Sequence, residues 1–320
     1  MTGCGRASLS QKSPLVEIPS TINSNNNEAN TPLTLPLDQT LTPTTTPNFI
    51  PSPTLTSVIR LGFQKPSGQV NILLLGSDYR PKLGYRTDVI MILSLNPEKG
   101  TATLTSFPRD LYVNIPGYGM NRINASQEIG GFDLTAATIK ENFDVTVDYY
   151  ILTNFSGFKD IVNVLGGVTV YAEYELTDTC KLPQAVNKMC HIAAGNNTMD
   201  GATALWYVRS RESTNDFDRT RRAQEVITAI FKKAMSLDAI DRGPELYDLF
   251  ITSVETNLSM DTVLQLLPLS AQLASNPSMV KRYAIGPSNI INHVVPESGA
   301  MVLIPDPISI SEIIKEAFFQ

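Results

Sequence analysis

No stretch of this 320-residue chain approaches the roughly 18 consecutive apolar residues needed to cross a bilayer. The apolar runs around Leu73 and Ile90 are short and read instead as buried strands. Histidine is nearly absent, with only His191 and His293, and the three cysteines show no CxxC spacing, which argues against a zinc centre. There is no Gly-x-x-x-x-Gly-Lys-Ser/Thr loop and no Gly-x-Ser-x-Gly elbow, so neither an ordinary P-loop nucleotidase nor a serine hydrolase is indicated. Basic residues are outnumbered 25 to 31, giving a net charge of −6. A chain of that balance has no broad positive field for nucleic acid or an anionic membrane surface, and any anion site must be local.

A hydrophobic content of 42 % is enough for a sizeable core. Residues 5–57 do not contribute to it, because Thr, Pro, Asn and Ser with scattered aliphatics bury too little surface to offset ordering entropy. The expected organisation is therefore a disordered tether over residues 1–57, with a reach on the order of 40 Å, and a folded domain over residues 58–320. Met1-Thr2-Gly3-Cys4 reads like the end of a bacterial lipoprotein signal, which makes Cys4 a candidate lipid-attachment site; the alternative is an accidental cysteine. Cys180 and Cys190 flank a polar segment containing Pro183 and are expected to form the disulfide of an exported protein, with two free thiols as the alternative.

Strands are expected at residues 70–75, 88–95 and 101–107, the last two joined by the turn Asn96-Pro97-Glu98-Lys99-Gly100, so that the three make a meander. Further strands are expected at 146–152, 168–171 and 280–285. Helices are expected at 133–142, 155–164, 201–208, 219–235, 244–255, 261–274 and 308–319. This mixture indicates an α/β fold with a mixed central β-sheet flanked by helices.

Five arginines and no lysine fall between Arg209 and Arg222: Arg209, Arg211, Arg219, Arg221 and Arg222. A guanidinium grips phosphate oxygens bidentately and is less costly to desolvate than an ammonium, so this usage favours phosphate recognition. The alternative is a solvated face paired with Glu212, Asp216 and Asp218, which suits Arg221 best. A second group lies at strand ends: Asp78 and Arg80, Arg86 and Asp88, then Arg109 and Asp110. Loops at adjacent strand ends converge, so these aspartates can share a hard cation while the arginines face an anion beside it. Capping and local pairing are the competing roles. Mg²⁺, with Mn²⁺ as the substitute, suits one or two carboxylates plus substrate phosphate and water. Both groups together are the parts that stabilise charge in phosphoryl transfer.

Ile72 to Asp78 with Arg86-Thr87-Asp88, Ser106-Phe107-Pro108-Arg109-Asp110, Arg122-Ile123-Asn124-Ala125, Arg209-x-Arg211, Asp216-Phe217-Asp218-Arg219 and Arg222-Ala223-Gln224 occur in this order. The pattern resembles the LytR-CpsA-Psr family from about residue 70 to 234, and plausibly to the C-terminus, making 58–320 one catalytic domain. Arg122 stands where lysine is frequent, Ala223 where glutamine is, and Asp218 where glycine is.

The resemblance implies a magnesium-dependent phosphotransferase that moves a glycopolymer from a polyprenyl-pyrophosphate carrier to a peptidoglycan sugar hydroxyl. It would work at the outer face of the bacterial cytoplasmic membrane, held there by a lipid anchor. Asp78 and Asp88 correspond to the magnesium-associated aspartates. Arg86, Arg109, Arg122, Arg209, Arg211, Arg219, Arg222 and Gln224 correspond to the pyrophosphate-binding group. Asp78, Asp88, Arg109, Asp110, Arg209 and Arg211 are the residues expected to carry the chemistry, with Asp110 and the aspartates at 216 and 218 as candidate bases. Ile139, Phe143, Ile227 and Phe231 are candidates for the walls of a lipid groove or for ordinary core. A phosphoesterase, with water in place of the sugar hydroxyl, and a non-catalytic sensor of lipid-linked intermediates are the competing functions.

Overall fold

The computed structural model describes residues 62–78, 86–235 and 243–320, all within a unit that spans Leu55–Gln320. Cys4, Arg80, the expected tether and its boundary at 57/58 lie outside the described residues.

The apolar run of β1 (Val70–Ser77) pairs antiparallel with β2 (Thr87–Asn96), which pairs antiparallel with β3 (Thr101–Phe107). This is the expected meander. Asn96 accepts the Lys99 N–H at 3.0 Å, and Gly100 takes φ +64°, a left-handed conformation that glycine adopts without steric cost. On the outer side of β1, β6 (Tyr149–Asn154) is parallel to it; beyond β3, β12 (Val280–Ala284) is parallel to β3. The two-residue β11 (Glu255–Thr256) closes the β6 edge, giving a six-stranded mixed sheet in the order β11-β6-β1-β2-β3-β12.

Side-chain alternation sends the strands' apolar residues to two different places. Leu73, Leu75, Ile90, Ile92 and Phe107 pack against α1 (Ala125–Phe143) and α7 (Pro307–Phe318) through Ile139, Phe143, Ile310 and Ile314. Ile72, Leu74, Met91, Leu93 and Leu104 face the other side, toward α4 (Asp216–Ala234) and α6 (Met260–Ser275). There α2 (Phe155–Val164), α3 (Gly201–Arg209) and α5 (Gly243–Ser253) complete the layer.

Several elements differ from the sequence-based expectation. α1 begins at Ala125 rather than 133, bending at Gly130–Gly131 where Gly131 has φ +64° and ψ −155°. α4 begins at Asp216 rather than 219, because the Asn215 side chain caps it by accepting the Asp218 N–H at 2.9 Å. The ribbons β4–β5 (Tyr112–Ile115, Gly119–Arg122), β8–β9 (Leu176–Thr179, Met189–Ile192) and β13–β14 (Ile290–Val294, Met301–Pro305) were not expected. Neither was β10 (Gly195–Met199), the partner of β7 (Val168–Ala172). Their strands of four or five residues are too short to show a period of their own.

Candidate functional site: an apolar cavity under an arginine–aspartate mouth

β1 ends, β2 begins and β3 ends on the same edge of the sheet, which brings Asp78, Arg86, Asp88 and Arg109 together. The backbones of Asp78 and Arg86 meet at 3.0 Å, and the Asp78 carboxylate also accepts the Arg86 N–H at 2.9 Å. α3 ends and α4 begins above this edge, delivering Arg209, Arg211 and Arg219. These seven charged residues line the opening of one cavity of about 930 Å³. Below them its wall is hydrocarbon: Ile72, Leu74 and Leu93 from the sheet, Ile227 and Phe231 from α4, Leu267 from α6.

The mouth is organised by ion pairs. Arg109 binds Asp88 through a short hydrogen bond, Asp110 at 3.3 Å and Asp216 at 3.5 Å. Burial disfavours the charge of Arg109, but its bond to Asp88 and the fields of Asp88, Asp110 and Asp216 outweigh that, and its pKa lies above the ordinary value. Arg219 shows the opposite balance: burial, with the neighbouring charges of Arg109 and Arg211, lowers its pKa despite Asp216. Arg209 lies over the Phe155 ring at 4.1 Å from its centroid, a contact that fixes the guanidinium without using up its hydrogen-bond donors.

Asp216 does not line the cavity but is the hub of the ion pairs beside its mouth, which its sequence position did not reveal: Arg211 at 3.2 Å, Arg109 at 3.5 Å and Arg219 at 3.6 Å all converge on it. The signal available beforehand was Asn215, a capping residue that sets Asp216 on the first turn of α4. Asp110 lies beside the cavity, paired with Arg109 and with Arg122 at 3.1 Å; neither Asp110 nor Arg122 lines the cavity itself. Arg221 and Asp218 pair with each other at 3.7 Å, and Arg221 also binds Glu225, so both serve a local ion-pair network, as expected of Arg221.

Two expected ligand-binding residues are placed elsewhere. Arg222 is 1 % exposed, and its guanidinium donates to the carbonyls of Tyr207 and Ser210 and to the Thr214 hydroxyl. Gln224 donates to Ser106 Oγ and the Tyr283 carbonyl, each at 2.7 Å, fastening α4 across β3 and β12. Neither lines the cavity. Of the four groove candidates, Ile227 and Phe231 do line it, whereas Ile139 and Phe143 are core residues on the opposite face of the sheet.

Cys180 and Cys190 are disulfide-bonded across the β8–β9 ribbon, with Cα atoms 5.6 Å apart. No helix among the described residues is long and apolar enough to cross a membrane. Also among the described residues, no group of three or more His, Cys, Asp or Glu could hold a metal ion on its own.

An α/β sheet with an apolar cavity on one face and converging guanidinium groups at its opening defines a class of protein that holds an amphiphile by an anionic head and a hydrocarbon tail. The chain belongs to the LytR_cpsA_psr family, whose pattern it matches over residues 42–315. It is 35 % identical to the polyisoprenyl-teichoic acid–peptidoglycan teichoic acid transferase TagT of Bacillus subtilis over 226 residues, 68 % of this chain and 69 % of TagT. It is 36 % identical to TagU of Oceanobacillus iheyensis, which carries the same transferase name, over 66 % of each chain. The alignments thus span about two thirds of these relatives. A structure of TagT bound to LIIa-WTA superimposes with a TM-score of 0.61 at 29 % identity, covering 82 % of this chain and 94 % of that one. B. subtilis TagV, at 24 % identity and a TM-score of 0.65 over 78 % of this chain and 96 % of its own, shares the fold.

Proposed function

We propose that this chain is a phosphotransferase that takes a glycopolymer of the teichoic-acid class from a polyisoprenyl-pyrophosphate carrier and joins it to a peptidoglycan hydroxyl. The observation that carries the reading is one cavity of about 930 Å³ with hydrocarbon walls and five arginines at its opening. A polyisoprenyl chain would occupy the apolar part, and its pyrophosphate would lie among Arg86, Arg109, Arg209, Arg211 and Arg219. The names of TagT and TagU support the substrate and acceptor classes.

In this mechanism the acceptor oxygen attacks the phosphorus bonded to the sugar, forming a new P–O bond. The bond from that phosphorus to the bridging oxygen breaks, and polyprenyl phosphate leaves with the electron pair. The hydroxyl proton passes to a base, for which Asp110 and Asp216 are the nearest carboxylates to Arg109 outside the cavity wall. The arginines hold the pyrophosphate in place and neutralise charge on the leaving group, the main source of rate in phosphoryl transfer. Asp78 and Asp88 would hold Mg²⁺, or Mn²⁺ in its place. Two hard oxygen donors fit an ion that takes its remaining ligands from phosphate and water. When bound, such an ion adds positive charge beside the pyrophosphate. The disulfide fits an oxidising compartment, which supports a place of work outside the cytoplasm; a lipid on Cys4 would attach the chain to the membrane.

The test incubates the protein with a polyprenyl-pyrophosphoryl oligosaccharide and peptidoglycan fragments, with Mg²⁺ or with EDTA, and follows products by mass spectrometry. Sugar joined to the wall fragment through a phosphodiester, lost with EDTA and reduced about 100-fold in Arg209→Ala, is the expected result. Release of free sugar phosphate would establish a phosphoesterase. Lipid binding without turnover under every acceptor and metal would establish a sensor.

A further inference from the structure

Arg211 reaches the cavity mouth from a loop, residues 210–215, that crosses between α3 and α4. A guanidinium on a loop is useful only if the loop is held, and two buried groups hold this one. From inside, Arg222 grips the Ser210 carbonyl at 2.6 Å and the Thr214 hydroxyl at 2.8 Å. From outside, Asp178 on β8 accepts the backbone N–H of Glu212 at 3.2 Å, at the residue that follows Arg211.

Asp178 is an unusual anchor. Its side chain is 2 % exposed, and its other oxygen accepts the Thr179 N–H at 2.6 Å. A carboxylate that deep is retained at a desolvation cost only where its hydrogen bonds are well made. Its cross-strand partner on β9 is Cys190, one half of the disulfide. The other half, Cys180, donates its own N–H to the Lys188 carbonyl at 2.8 Å. The ribbon is also fastened to α3, where the Trp206 indole donates to the Thr179 carbonyl at 2.8 Å. The covalent staple therefore closes the ribbon at the residue directly opposite Asp178.

We infer that Asp178 is a positioning residue for Arg211, and that the Cys180–Cys190 disulfide holds Asp178 in register to do it. The disulfide is in this way coupled to the anion site, and opening it weakens the grip on the substrate pyrophosphate. This rests on the reading of the mouth as a pyrophosphate site.

The experiment is a double-mutant cycle on the full chain, using Asp178→Ala, Arg211→Ala and the double variant. Calorimetric binding of farnesyl pyrophosphate and the kcat and KM of transfer are measured, with thermal unfolding as the check on folding. Asp178→Ala is expected to weaken binding by about tenfold, and to add no further loss once Arg211 is absent. Equal losses in both backgrounds would overturn the inference, since Asp178 would then serve the fold at large. Asp178→Asn keeps one acceptor oxygen and is expected to recover most of the binding; if Asp178→Ala does not fold, Asp178→Ser, whose shorter side chain does not reach the Glu212 N–H, takes alanine's place in the cycle. An asparagine variant as weak as alanine would overturn the hydrogen-bond account. The Cys180→Ser/Cys190→Ser protein should bind more weakly only when Arg211 is present, and wild-type binding by it would remove the disulfide from the inference. Failure of the wild-type protein to bind farnesyl pyrophosphate would overturn both this inference and the reading of the mouth, whereas binding with additive losses overturns this inference alone.

Discussion

Arg211 and Arg222 leave neighbouring segments of backbone and do opposite work. Arg222 is enclosed, and three oxygens depend on it: two backbone carbonyls and the Thr214 hydroxyl. Arg211 is half exposed and pairs with Asp216 at the mouth. Arg222→Ala leaves buried acceptors without donors, which costs roughly 2–4 kcal/mol. In a folded unit of this size that is a Tm lower by roughly 5–15 °C in a melting scan. Arg211→Ala touches no such buried network and is expected to leave Tm within a degree or two while lowering transfer about 100-fold. A reversed pattern, with a stable Arg222→Ala that has lost only turnover, would put Arg222 back in the substrate site. The contrast also shows what residue types alone conceal. All-arginine usage drew attention to residues 209–222, three of whose arginines line the cavity, but residue type does not separate Arg219 from Arg222, one helical turn apart, until the packing of α3 decides which way each points.

At the scale of elements, the cavity exists because helices stand close enough to enclose it. α2 meets the end of α5 at Gly157, where an added Cβ would lie 2.0 Å from the Ser253 carbonyl oxygen. No side-chain rotation relieves a clash with backbone, so Gly157→Ala must displace α5 from the cavity wall. Lower Tm and weaker binding of farnesyl pyrophosphate are expected together. Gly286→Ala, outside the cavity wall and with its nearest neighbour among the described residues 3.8 Å from the added Cβ, is the control and should keep wild-type Tm and binding. The meander, α2, α6 and α7 were legible in the sequence because each has a run long enough to show its period. The two-stranded ribbons were not. β8–β9 gives the apolar core only Leu176 and Ile192, too few to show a period, yet it buttresses the loop that carries Arg211. The strand-end aspartates and arginines were legible for the same reason as the meander: once the strands alternate up and down, their ends must meet. The convergence of three arginines on Asp216 was not, because it joins β3, the loop at 210–215 and α4, segments whose meeting is decided by tertiary packing.

For the molecule as a whole, the central fact is that one face of the sheet is packed solid and the other is packed only in part, around a cavity. Against α1 and α7 the strands bury Leu73, Ile90, Ile92 and Phe107 in an ordinary core. On the opposite face, α4, α5 and α6 stand off far enough to leave about 930 Å³ lined by aliphatic and aromatic side chains. An apolar wall of that kind gains about 0.8 kcal/mol for each methylene it removes from water, whatever the shape of the chain. Affinity for polyprenyl pyrophosphates should therefore climb steeply with each added isoprene unit and then level off once the tail fills the cavity and emerges from it. Tryptophan at Ile227, on the cavity side of α4, would occupy part of that space and move the plateau to shorter chains, leaving the contribution of the pyrophosphate unchanged. Calorimetry over a series of chain lengths, with wild type and Ile227→Trp side by side, measures both quantities. Affinity that does not depend on length would mean that the tail lies outside the cavity and that the arginine mouth alone holds the ligand.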